Sequence, residues 1–144
     1  MSRGALTALL VSAVFLVAAA AGAAKEFEPG DLRICNAKRC VPITNRAALT
    51  ALGAFYYIGT KPPPRAPRVP LGVKSFELRF DNDYVTGIVA TARLDRFLSY
   101  GVNIGRFEAG RWYRVYAKAA RELRRLTVGL SPIRLTRAAL AKSR

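Results

Sequence analysis

Histidine is missing from this chain altogether. Tryptophan and methionine occur once each, cysteine twice, and Asp and Glu together number nine among 144 residues. Each scarcity excludes something. Without His there is no Ser-His-Asp or Cys-His nucleophile, and the commonest general base near neutral pH is gone. A zinc centre would have to combine two thiolates with carboxylates, short of the four N or S ligands such sites usually hold. No Ser stands three residues before a Lys, so a Ser-Lys hydrolase motif is absent. The glycines of "GVNIGRF" and "EAGRW" lack the strand-to-helix setting of a phosphate-cradling loop. The acids are scattered, and Asp81 and Asp83 are the close pair that bears on chemistry. Their "DND" run has neither the further oxygen ligands nor the terminal Glu of a calcium loop, and reads as a turn. No cofactor, no metal and no catalytic residue is expected. A carboxylate-based envelope enzyme using Asp81, Asp83 or Glu108 is the weakest of three functional readings.

Arginine is what the chain has in quantity: 18 Arg and 6 Lys give a formal charge of +15. Such an excess favours anionic partners without choosing among them. Long apolar runs occur once. Arg3 precedes a stretch from Ala5 to Ala24 interrupted by Thr7, Ser12 and Gly22, with small residues at Ala21-Gly22-Ala23 before Lys25. A short basic region, an apolar core and small residues fit a secretory signal peptide cleaved near Ala23 or Ala24. The run also approaches the ~20 residues that cross a bilayer, so residues 1–24 read either as a signal peptide or as an uncleaved anchor. Both readings place the remainder outside the cytoplasm, secreted or membrane-anchored.

Export decides how the cysteines are read, because thiol pairs oxidise and stay oxidised outside the cytosol. Cys35 and Cys40 enclose "NAKR", which is polar and able to turn, between the β-prone flanks "LRI" and "VPI". The stretch predicts a β-hairpin whose arms are joined by a disulfide. A redox pair usually spaces its cysteines by two residues, and here there are four.

Further along, "TNRAALTALGAFYYIG" predicts a helix capped by Thr44 or Asn45 and ended by Gly59. Residues 61–70 carry five prolines and predict a stiff extended loop within the domain. "VKSFELRF" alternates, turning Phe76, Leu78 and Phe80 to one side and Ser75, Glu77 and Arg79 to the other. After the DND turn, "YVTGIVATARL" predicts the returning strand, with Ile88, Ala90, Ala92 and Leu94 on one face. The pattern over 95–105 decides nothing. "GRFEAGRWYRVY" predicts a hairpin turning at Glu108–Gly110, and "AKAARELRRLTVG" a helix burying Ala119, Leu123 and Leu126. The expectation is α+β: a small antiparallel sheet of about four strands with two packed helices, plus an N-terminal disulfide-clipped β-hairpin. One domain spans 25–131, followed by a basic tail over 132–144 that is frayed or forms a short helix capped by Thr136.

One surface stands out for function. From Arg111 onward the chain has eight Arg and two Lys against the single acid Glu122. Arg111, Trp112, Arg114, Tyr116, Lys118, Arg121, Arg124 and Arg125 set rings beside guanidinium groups, a combination suited to polyanions and sugars. Trp112 and Tyr116 can equally fill the core while the arginines solvate the outside. The reading is a non-catalytic binding or interaction module at the cell envelope, with an anionic envelope polymer, an anionic lipid surface or an acidic protein as partner. Export argues against nucleic acid. The alternative is a membrane-anchored accessory subunit of an envelope complex, held through residues 5–24.

Overall fold

The computed structural model describes residues 27–57, 62–80, 84–101 and 106–144. The signal or anchor segment, Gly59 and the Asp81–Asp83 pair lie outside the described residues. No helix among the described residues is long and apolar enough to cross a membrane.

The polar run between the cysteines does turn the chain. The Asn36 N–H donates to the Arg39 carbonyl at 2.9 Å, and the Asn36 side chain accepts from the N–H groups of Lys38 and Arg39. This turn pairs β1 (Leu32–Cys35) with β2 (Cys40–Pro42), setting Cys35 opposite Cys40 in a disulfide. The hairpin is not an appendage. Its β1 pairs antiparallel with Glu77–Phe80 of β3 (Lys74–Phe80), which makes the clip the edge of the main sheet.

From β3 the sheet continues through β4 (Tyr84–Ala90), β5 (Arg96–Ser99) and β6 (Trp112–Arg114) in the order β2-β1-β3-β4-β5-β6. A seventh strand, β7 (Ile133–Arg134), pairs with Lys74 and Ser75 of β3. Among the described residues the sheet therefore has seven strands, the two of the clipped hairpin included, where the sequence predicts a sheet of about four beside a separate hairpin. Part of the excess lies in 95–105, where the first four residues from Arg96 form β5. The returning strand stops at Ala90, and Thr91 (φ 82°) and Leu94 (φ 51°) turn the chain into β5. Leu94 thus leaves the face of Ile88 and Ala90 and joins the helix-side core. The strand β6 pairs with β5, and Arg106 and Phe107 of the expected hairpin arm form no strand.

Among the described residues three helices accompany the sheet, the two expected to pack on it and the short one in the tail. In α1 (Arg46–Tyr57) Asn45 is the cap, its side chain accepting from the Ala48 N–H at 3.1 Å. Then α2 (Ala117–Leu126) buries Ala119, Ala120 and Leu123. Both pack on one face, where the larger core joins Leu52, Phe55 and Tyr56 to Ile34, Leu78, Phe97 and Tyr113. In the tail, α3 (Arg137–Ala141) is capped by Thr136, whose hydroxyl accepts from the Ala139 N–H.

The opposite face has its own cover. Val69 from the Pro-rich segment and Leu135 from the tail bury Ile88, Ala90, Leu98 and Trp112 beneath them. The Pro-rich segment also runs along β6, the Arg114 N–H donating to the Pro64 carbonyl and the Ala66 N–H to that of Trp112. The tail is held rather than frayed: Leu135 is 2% exposed, and the Ser75 hydroxyl donates to the Ile133 carbonyl.

Candidate functional site

Alternation along β6 separates the residues that the sequence groups together. Trp112 lies opposite Leu98 in the smaller core at 6% exposure, and Tyr113 lies opposite Phe97 in the larger one. Tyr116 is half-buried, its ring packed edge-on at 5.6 Å from Phe55. The tryptophan therefore serves the core and presents no open ring face beside the arginines. The structure leaves Arg111, Arg114, Lys118, Arg121, Arg124 and Arg125 exposed.

Ion pairing sorts these cations further. Arg111 approaches Glu108 at 3.6 Å, and Arg65 reaches the same carboxylate at 3.1 Å. Arg125 is matched by Glu122, three residues earlier on α2, at 3.1 Å. Exposed pairs of this kind contribute at most about 1 kcal/mol each. They matter here because they occupy the nearby acids. Arg114, Lys118 and Arg121 have no carboxylate partner among the described residues, and Arg124 spends one N–H on the Arg93 carbonyl at 2.8 Å. The first turn of α2 carries no acid, and its cap residue Tyr116 contributes no side-chain hydrogen bond. The positive end of the helix dipole thus adds to the field of the cations instead of opposing it.

Concave surface flanks α2 on two sides. Towards α1 runs a groove of about 830 Å³, floored by Ala51, Ala54 and Ala117. Arg46, Lys118 and Arg121 stand at its rim. The other side holds a cleft of about 350 Å³, where Arg114 and Arg124 meet Arg93 from the β4–β5 turn and Arg96 from the start of β5. The one acid in that cleft, Asp95, is already engaged: it pairs with Arg96 at 3.1 Å and accepts from the Thr91 hydroxyl at 2.6 Å.

No family model, curated protein or solved structure matches this chain. Its chemistry is therefore read from its own residues. Arg46, Arg93 and Arg96 belong to the basic surface and escape the sequence reading, which follows the dense run from Arg111 to Arg125. The turn that delivers Arg93 and Arg96 depends on non-glycine residues at positive φ, for which "TARLDR" gives no composition cue. Of the acids considered for catalysis, Glu108 is 60% exposed and held between two arginines. No group of three or more Cys, Asp or Glu able to hold a metal ion occurs among the described residues.

Proposed function

We propose that this protein is an exported, non-catalytic binding module that engages an anionic partner at the cell envelope through the surface centred on α2. The observation that carries the reading is the uncompensated positive charge of that helix. Arg121, Arg124 and Lys118 lie exposed along it, and both flanking concavities bring further arginines, while the acids that line them, Glu122 and Asp95, are each paired with an arginine. The disulfide fits an oxidising compartment, and the apolar N-terminal stretch supports export. The test is binding to an anionic teichoic-type polymer between roughly 50 and 500 mM salt. Affinity is expected to fall steeply as salt rises. The triple variant Arg121→Ala, Arg124→Ala, Arg125→Ala is expected to flatten the log–log slope by about two to three. Salt-insensitive binding, or unchanged affinity in the triple variant, overturns the reading.

The apolar floor of the α1–α2 groove supports a second reading, an accessory subunit anchored through residues 5–24 and packed against a partner helix. Intact mass by cell fraction separates the two, since a subunit of this kind keeps its N-terminus and stays with membranes.

A further inference from the structure

The cleft beside α2 differs in kind from the rest of the basic surface. Arginines there arrive from separate places in the chain, Arg93 from the β4–β5 turn, Arg96 from the start of β5, Arg114 from β6 and Arg124 from α2, and line one cleft of about 350 Å³. The cleft is a shallow, open depression, wide enough to seat a small anionic group. Asp95 neutralises Arg96 and has its other oxygen taken by Thr91. Three positive charges are left without a carboxylate among the described residues. The guanidinium groups of Arg93 and Arg114 have no hydrogen-bonding partner there either. Like charges that line one cleft repel, and solvation alone would not need them brought together. The backbone that presents Arg93 is strained, with Thr91 at φ 82° and Leu94 at φ 51°, and such strain persists where the surrounding structure imposes it.

We propose that this cleft is a binding site for a phosphomonoester or diphosphate group of the anionic partner. The inference rests on the binding-module reading and names the group that the module grips. Planar guanidinium forks match phosphoryl oxygens two at a time, and several forks need an anion with more than two oxygens and more than one charge. A single carboxylate fills one fork and leaves the others unpaired. The cleft's remaining lining, Val115, Ala117 and Ala120, is small and apolar and offers the forks no competing side-chain acceptor. The large exposed apolar side chains among the described residues, Leu71, Tyr84 and Val128, lie elsewhere, so nothing beside the cleft is built to enter a bilayer.

The experiment is calorimetric titration of the oxidised protein with inorganic pyrophosphate, with malonate as a dicarboxylate of similar reach. The double variant Arg93→Gln, Arg114→Gln should lose about tenfold or more in pyrophosphate affinity. The charge-matched control Lys38→Gln, Arg39→Gln, on the turn of the clipped hairpin, should lose less than about threefold. Wild-type amide resonances of residues 93–96 and 114–120 should shift on titration. Unchanged melting temperatures establish that the variants fold, as expected for exposed side chains without partners. Equal losses in the two double variants, or malonate binding as tight as pyrophosphate, would overturn the cleft while leaving salt-dependent polymer binding intact. Failure to bind polymer and pyrophosphate alike would remove the cleft and the module reading together. Vesicles carrying phosphatidic acid separate the source of the group: binding that needs the bilayer and is not displaced by pyrophosphate counts against the cleft.

Discussion

Thr86 is where the larger core is fastened to the sheet. The β3–β4 register shifts between Leu78 and Arg79, which leaves Thr86 as an extra residue opposite none, a β-bulge. Its hydroxyl donates to the Leu78 carbonyl at 3.0 Å, so the buried Tyr56 hydroxyl donates in turn to Thr86 at 3.0 Å. Helix α1 is thereby hydrogen-bonded to a sheet irregularity. Tyr56→Phe should cost about 1 kcal/mol in a urea melt, since the hydroxyl left behind keeps its own acceptor. One residue on, Gly87 has no space for a side chain: a Cβ there would meet the Leu98 carbonyl and the Phe97 ring. Gly87→Ala should lose about 2 to 3 kcal/mol in the same measurement. Burial raises the pKa of Tyr56 above its ordinary value, against the smaller opposing effect of the Thr86 hydrogen bond. Burial, then the nearby Glu77, raises that of Tyr100, whose hydroxyl has no partner among the described residues. A raised folded-state pKa means that the unfolded chain ionises first. The stabilisation is therefore complete below the ordinary tyrosine value near pH 10 and is lost as pH rises beyond it. Melting temperature should fall from about pH 10 upward, with the phenolate absorbance of the buried Tyr56 appearing together with unfolding rather than before it.

At the scale of elements, the clip and the tail do different work. Closing the short Cys35–Cys40 loop removes about 2 kcal/mol of unfolded-chain entropy, and reduction should lower the urea midpoint accordingly. The hairpin should survive reduction in place, because β1 is also bonded to β3 and the Asn36 side chain donates to the Ser131 carbonyl at 2.9 Å. Deleting residues 132–144 should be far worse, by about 3 kcal/mol or more, since it strips Leu135 and β7 from the second core. The hairpin, α1, α2 and the alternation of β3 were legible because each is local: a turn between cysteines, a cap, a 3.6-residue or two-residue period. The extra layer was not. Ser75 is fully buried although its strand pattern points it outward, because what covers it lies 58 residues away. Strand β5 is four residues long with both faces covered, so it has no alternation to reveal it.

For the molecule as a whole, charge organises the proposed function. The density of arginine from Arg111 to Arg125 could be read directly, but its division into paired and unpaired groups could not. Pairing depends on Glu108 reaching Arg65, and on a tight turn bringing Arg93 and Arg96 beside α2. The ring most inviting for stacking, Trp112, turned inward because β6 contributes a residue to each core in succession. The seal along β6 has a further consequence for recognition. Sheets often capture extended partners by lending them an unsatisfied edge. Here Pro64 and Ala66 already occupy that row of backbone groups, and at the far side β2 offers three residues, the last a proline without an N–H. A visiting chain finds little main chain to zip onto, whatever its sequence. What it meets instead is a surface of guanidinium groups, so under the proposed function selectivity rests on the partner's charge spacing and not on its ability to become one more strand.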